Sequence, residues 1–194
     1  HNISIAEEET LLILGDSISA GYGINKKDNW VYLMQQKFYE EGNSIKLINS
    51  SVSGDTTGGG LGRLAKNLKK FKPDFVLIEL GGNDALRGYS IKLIKSNLEK
   101  MIALIKQNKS KVLLMQIRIP PNYGQKYMLA FEKIYKDLAL SEEVYLMPFM
   151  LEEIGINSDL MQPDGIHPNK KAQSLIAKDV KKNIDKFLLI NQSN

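Results

Sequence analysis

TLLILGDSISAGYG (residues 10–23) decides how the rest of the chain is read. A short apolar run closed by Gly15 has the pattern of a strand buried on both faces. Asp16 and Ser17 follow directly, then Ala20 and Gly21, with no further apolar run. A strand that ends on a serine holds that hydroxyl at a fixed place, and the small residues leave open space around it.

The same alternation recurs downstream. IKLINSS (45–51), DFVLIELGGND (74–84), KVLLMQI (111–117) and VYLMPF (144–149) read as four further strands. Between them lie segments with apolar residues at helical spacing. KDNWVYLMQQKFYEEG (27–42) carries Trp30, Leu33, Met34 and Phe38, with Asp28 as the expected cap and Gly42 as the stop. GLGRLAKNLKKFKP (60–73) carries Leu61, Leu64, Leu68 and Phe71. Long helices are expected over 89–110 and 125–139, and a last one over 168–188 with Pro168 at its first position. Apolar strands alternating with amphipathic helices predict an α/β fold whose mostly parallel sheet is covered on both faces. No repeat, linker or second domain interrupts it, so residues 1–194 are one domain, with 1–9 and 189–194 expected as terminal arms.

Composition narrows the function. The chain has 194 residues, 43% apolar and 25% charged, which is neither a disordered nor a membrane composition. No stretch is long and apolar enough for a spanning helix, so no stable membrane insertion is expected. Lys and Arg number 26 against 22 acids, a net +4. The lysines are spread over KNLKKFK (66–72) and KDVKKNIDK (178–186), which read as solvated helix faces. Without a concentrated basic patch or interleaved aromatics, nucleic acid is not an expected partner. The absence of cysteine excludes disulfides, thiolate chemistry and sulfur-bound metal.

In doubly wound α/β folds, ligands bind outside the carboxyl ends of the strands. Four such ends are polar or glycine-rich here: Gly15-Asp16-Ser17, SSVSGDTTGGG (50–60), Gly81-Gly82-Asn83-Asp84, and Asp164-Gly165-Ile166-His167-Pro168. A hydroxyl is a weak nucleophile unless a base lies within hydrogen-bond reach. His1 is a terminus, so His167 is the candidate base for Ser17. Asp164, three residues earlier across a Gly-Ile turn, can return its carboxylate to the imidazole and hold its tautomer. By itself DGIHPN is equally what a capping Asp and a surface His look like. Acyl transfer also needs donors for a developing oxyanion. The backbone N–H groups of Ser17 and Gly54 and the side-chain amide of Asn83 are candidates, although Gly-Gly-Asn-Asp is also an ordinary turn sequence.

Rival chemistries lack their signatures. There is no G-x-G-x-x-G and no G-x-x-x-x-G-K-[ST] for phosphate. Asp16, Asp55, Asp84, Asp164 and His167 sit near strand ends, but no H-x-H or H-E-x-x-H spacing supports a metal site, and none is expected. The G-x-S-x-G elbow is also missing, so the arrangement is not that of the usual α/β-hydrolase.

These residues resemble those of the SGNH, or GDSL, hydrolases, and within them the bacterial arylesterase and thioesterase/lysophospholipase group. LGDSISAGYG (14–23), SVSGDTTGGGLGRL (51–64), ELGGNDALRG (79–88) and QPDGIHPNKKAQ (162–173) are similar to four ordered blocks of that family, and the likeness spans about positions 10–180. The resemblance implies a three-layer flavodoxin-like fold with a five-stranded sheet. It implies a metal-free, cofactor-free hydrolase of fatty acyl esters and thioesters. Ser17 would be the nucleophile, Asp164 and His167 the rest of the triad, and Ser17, Gly54 and Asn83 the oxyanion hole. The loop after the fourth strand, with Ile117, Ile119, Pro120, Pro121 and Tyr123, would border the acyl chain, with Leu86 opposite; alternatively it packs beneath the following helix. A carbohydrate O-deacetylase is the alternative activity, and a binding module on the same scaffold the alternative class. The enzyme is expected as a monomer acting on small acyl substrates. The chain opens without Met, which fits a processed periplasmic or secreted protein, while the cytoplasm stays open.

Overall fold

The computed structural model describes residues 8–192. His1 and the first seven residues of the expected arm lie outside them. Five strands, β1 (Thr10–Gly15), β2 (Lys46–Asn49), β3 (Phe75–Glu79), β4 (Lys111–Met115) and β5 (Tyr145–Met147), form one sheet in the order β2-β1-β3-β4-β5. Every neighbouring pair is parallel. This is the flavodoxin-like order, and the family resemblance implied it. Leu11 to Leu14 of β1, Val76 to Ile78 of β3 and Leu113 to Met115 of β4 are completely buried, which is why these strands are legible as unbroken apolar runs. The edge strand β2 is half exposed and shorter than expected.

Among the described residues seven α-helices join and cover the strands: α1 (Ser17–Ala20), α2 (Trp30–Glu40), α3 (Thr57–Phe71), α4 (Gly82–Leu86), α5 (Ile91–Gln107), α6 (Gln125–Ser141) and α7 (Lys170–Gln192). Helix α2 packs on α7, while α3 packs on α5 and α5 on α6, giving the two outer layers. The cores of these layers are the expected stripes: Trp30, Met34 and Phe38 on α2, Leu64 and Leu68 on α3, and Ile94, Leu98, Ile102 and Ile105 on α5.

Several boundaries differ from the sequence reading, each for a local reason. Asn29, not Asp28, caps α2 by accepting the Val31 N–H at 2.7 Å, and residues 26–28 form a separate 3₁₀ turn. Helix α3 starts at Thr57, three residues early, because Thr56 caps it through the Gly59 N–H at 3.1 Å. The glycine run is no loop: a Cβ on Gly59 would collide with the Asp55 carboxylate, and one on Gly60 with Leu80. Strand β3 stops at Glu79, and the GGND segment is the short helix α4 rather than a turn. Pro168 does not open α7. It pairs with Met161 in an antiparallel bridge, and Asn169 accepts the Lys171 and Ala172 N–H groups as the cap. The last helix runs on to Gln192, so residues 189–192 are helical and not an arm.

Candidate active site

The sheet order reverses between β1 and β3, and in this fold that is where a crevice opens at the carboxyl end. Ser17 follows β1 and Asn83 follows β3, so both face that crevice by topology. Ser17 is the first residue of α1, whose cap is Asp16, with Oδ1 accepting the Ile18 N–H at 3.0 Å.

The partners of Ser17 arrive from the far end of the chain. His167 Nε2 lies 2.9 Å from Ser17 Oγ, and His167 Nδ1 lies 2.6 Å from Asp164 Oδ2. Asp164 Oδ1 also accepts the backbone N–H groups of Ile166 (2.9 Å) and His167 (3.0 Å). The His167 backbone and ring hydrogen bonds hold the Asp164 carboxyl down at about 2, so it stays ionised through the working pH range. An ionised Asp164 accepts the proton on Nδ1 and leaves Nε2 with its lone pair toward Ser17. Tyr22 lies against the imidazole, ring centroids 4.4 Å apart and tilted by 36°. Gln162 closes the loop, donating to the Tyr22 carbonyl at 2.8 Å and the Pro168 carbonyl at 3.1 Å.

The three candidate donors follow three neighbouring strands, Ser17 after β1, Gly54 after β2 and Asn83 after β3. Gly54 takes a φ of +78°, a conformation that glycine adopts without strain. Among the described residues, neither the Gly54 N–H nor the Ser17 N–H donates to a protein acceptor. Asn83 Nδ2 gives one N–H to the Asp55 carbonyl at 2.8 Å. Its second has only a long contact, 3.5 Å, with Asp16 Oδ2. That leaves three N–H groups able to meet an anionic oxygen.

The expected acyl wall divides. Ile117 and Ile119 are buried in the common core, Ile117 beneath Gly82 of α4. Pro120, Pro121 and Tyr123 are exposed and Leu86 is half buried. Tyr127 of α6 donates to the Tyr89 carbonyl at 2.5 Å, which draws the loop before α6 toward the segment after Leu86. Two clefts, of about 410 and 680 Å³, open at the opposite end of the sheet and contain none of these residues.

Behind the nucleophile lies a layer that sequence reading did not assign. Glu79, the last residue of β3, is 2% exposed. Its Oε2 accepts the Asp16 N–H at 3.1 Å and the Ser19 hydroxyl at 2.9 Å. Burial, and then the charge of Asp16, push the Glu79 carboxyl well above the ordinary glutamate range. Burial pushes Asp16 up to about 6, even though the Ile18 N–H and a hydrogen bond with Glu79 favour its charge. Burial of both carboxyls, and the charge of Asp16 beside Glu79, favour the protonated form, so the pair holds a proton to a higher pH than free carboxylic acids do. Asp84 is also buried and raised, and it accepts Thr57 N–H at 2.9 Å and Thr57 hydroxyl at 2.5 Å. Among the described residues no group of three or more acidic, His or Cys side chains is placed to hold a metal.

A hydroxyl, a tautomer-fixed imidazole, two backbone N–H groups without a protein acceptor and one weakly held amide N–H on neighbouring strand ends can carry acyl transfer from an ester. Comparison with known proteins gives the class directly. The profile of the GDSL-like lipase/acylhydrolase family matches residues 13–175, and the chain belongs to that family of ester hydrolases. An arylesterase of Vibrio mimicus is 49% identical over 180 residues, 93% of this chain and 90% of that one. The thioesterase 1/protease 1/lysophospholipase L1 of Escherichia coli is 45% identical over 89% of this chain and 81% of its own. The crystal structure of the psychrotrophic esterase EstA of a Pseudoalteromonas species, inhibited by monoethylphosphonate, superposes with a TM-score of 0.91. It shares 43% identity and covers 93% of this chain and 98% of its own. Among the described residues no helix is long and apolar enough to cross a membrane.

Proposed function

We propose that the chain is a serine esterase and thioesterase that hydrolyses small acyl esters and thioesters through a covalent acyl-enzyme. The observation that carries this reading is the unbroken series Ser17 Oγ, His167 Nε2, His167 Nδ1, Asp164 Oδ2 at 2.9 and 2.6 Å. In the first step Ser17 Oγ bonds to the substrate carbonyl carbon while its proton passes to His167 Nε2. The carbonyl π electrons move onto oxygen, which meets the Ser17 and Gly54 N–H groups and the second N–H of Asn83. Collapse of that intermediate breaks the bond to the leaving alcohol or thiol, which takes the proton from His167. Water then attacks the acyl-enzyme, giving a proton to the same nitrogen, and collapse returns that proton to Ser17 and frees the acid. Asp164 remains ionised and offsets the positive charge of the imidazolium. The Tyr22 ring packs against that imidazole, 4.4 Å between centroids, and can interact with the transient cation.

Every residue of this machinery comes from one chain, so a monomer suffices. The location we propose is the periplasm or the medium, as the family resemblance implies, which fractionation of the producing cell tests. The test of the chemistry is labelling. A fluorophosphonate should add to Ser17, read by mass of the labelled peptide, and Ser17→Ala should abolish both the label and turnover. An S17A protein that keeps more than about a tenth of the wild-type rate would remove Ser17 as the nucleophile, because loss of a triad member costs orders of magnitude more.

A further inference from the structure

We infer that Arg63 is a positioning residue for the oxyanion hole, acting on Asn83 through Asp55. The inference rests on the reading of Asn83 and Gly54 given above. Arg63 lies on α3, and its side chain is 22% exposed. All three of its guanidinium nitrogens donate hydrogen bonds. Nε donates to Asp55 Oδ2 at 2.8 Å. Nη1 donates to the Ser50 carbonyl and, at 3.0 Å, to the Ser50 hydroxyl. Nη2 donates to the Gly15 carbonyl at 3.3 Å. Those acceptors belong to three different pieces of the site. Gly15 ends β1 two residues before Ser17, Ser50 follows β2, and Asp55 follows Gly54.

Asp55 is the link to the chemistry. Its carboxylate is held at one oxygen by Arg63 and at the other by the Thr56 N–H at 3.0 Å. Its backbone carbonyl accepts the Asn83 amide at 2.8 Å. An amide NH₂ has two hydrogens in one plane. The Asp55 carbonyl takes one, and so decides where the other points. With Asp55 clamped, the second hydrogen has a set direction before any oxyanion forms, which is what makes such a donor effective. A freely turning Asn83 would satisfy Asp55 or the oxyanion, but not both in one orientation. Lysine cannot replace this residue, because only a planar fork reaches Asp55, Ser50 and Gly15 from one stem. A simple clamp between strands would influence stability alone. A positioning role lowers kcat of the folded enzyme and does so through Asn83.

The experiment is a double-mutant cycle on a p-nitrophenyl ester with R63K, N83A and R63K/N83A, each rate divided by the sites a fluorophosphonate titrates. R63Q is carried beside R63K, so that a folding failure of one leaves the other to decide. N83A should lower kcat on the order of 10²–10³, the usual effect of one lost oxyanion donor. R63K should lower kcat by at least about tenfold with KM within about twofold, since the donor is displaced rather than removed. The double variant should lie within about threefold of N83A alone, because both changes spoil one interaction. Wild-type kcat in R63K overturns the inference. So does a double variant in which the two losses multiply, since Arg63 would then act apart from Asn83. N83A at wild-type kcat removes the oxyanion reading itself, a different failure that the single variant reveals without reference to Arg63.

Discussion

The buried acid pair behind Ser17 predicts an unusual dependence of stability on pH. Glu79 has a folded-state pKa raised well above its ordinary 4.5, and Asp16 one raised from 3.8 to about 6. Above the unfolded values, the folded protein holds protons that the unfolded chain has lost. Stability contributed by that retention is complete at low pH and declines as pH rises toward the folded values. Each group declines at up to about 1.4 kcal/mol per pH unit. For Asp16, a shift of roughly two units makes the total about 3 kcal/mol by the time it ionises. In Glu79→Gln the amide oxygen can accept the Asp16 N–H and Ser19 hydroxyl, and the amide N–H₂ can donate to Asp16 without a proton to lose. E79Q should therefore match the wild type within about 1 kcal/mol near pH 5, since both Asp16 and Ser19 keep their partners. Above that it should become relatively more stable, the gap widening by up to about 1.4 kcal/mol per unit. Glu79→Leu leaves two buried donors unpaired, about 1–3 kcal/mol each, a large part of a domain's total of about 5–15 kcal/mol. Urea unfolding of all three proteins at pH 5, 6, 7 and 8 reads this through Trp30, which is the chain's one tryptophan and completely buried. E79Q losing as much as E79L, or keeping the wild-type slope against pH, would mean that Glu79 is an ionised acceptor and the reasoning is wrong.

Three further outcomes follow from the site. The pH–rate profile should show no inflection from Asp164 above about pH 3, since it is held at about 2; Asp164→Asn should cut kcat by orders of magnitude by freeing the wrong tautomer, and a kcat within tenfold of wild type would deny Asp164 its role. Tyr22→Ala should lower kcat by several-fold, as loss of a contact of roughly 1 kcal/mol with the imidazolium implies, and an unchanged pH–rate profile with unchanged kcat would leave Tyr22 a surface residue. On a p-nitrophenyl ester series from C2 to C16, kcat/KM should rise at least about tenfold from acetyl to medium chains, since each enclosed methylene gives up to ~0.8 kcal/mol. Tyr123→Ser and Leu86→Ser should flatten that rise; an optimum at C2 with steep loss by C6 would favour the O-deacetylase alternative. Ile119 is unsuitable for this test, because it is buried and a polar substitute there would measure core stability.

The fold was readable where burial was uniform. Leu11 to Leu14 and Val76 to Ile78 are covered on both faces, so their strands have no polar interruption to confuse a pattern. Legibility failed where an element has too few residues to repeat. Helices α1 and α4 span four and five residues, less than two turns, and show no periodicity. Their starts depend on backbone turns at Asp16 and Gly81, not on an apolar stripe. The end of α7 was missed for the opposite reason. Its buried face stops at Leu188, and Leu189 and Ile190 are exposed, but nothing breaks the hydrogen bonding there, so the helix continues.

In the candidate site, the proposed nucleophile, base and acid are legible in sequence and their supports are not, and Gly15 shows why. Sequence presents it as the small residue beside a nucleophile. In the sheet it is the register partner of Glu79 across β1 and β3. A Cβ at position 15 would collide with Glu79 Oε2, with Ser51 Oγ and with Ser19. The glycine is thus fixed by an acid 64 positions later in the chain, one that reaches over it to the Asp16 N–H. Its carbonyl, in turn, is an acceptor for Arg63, from 48 positions away. Each of these relations depends on strand register and on a helix approaching from another layer, neither of which leaves a mark on local spacing. Asp164 and His167 sit on one turn, so the contact between them leaves a readable local spacing. Glu79, Asp16 and Arg63 needed the sheet before their chemistry had neighbours.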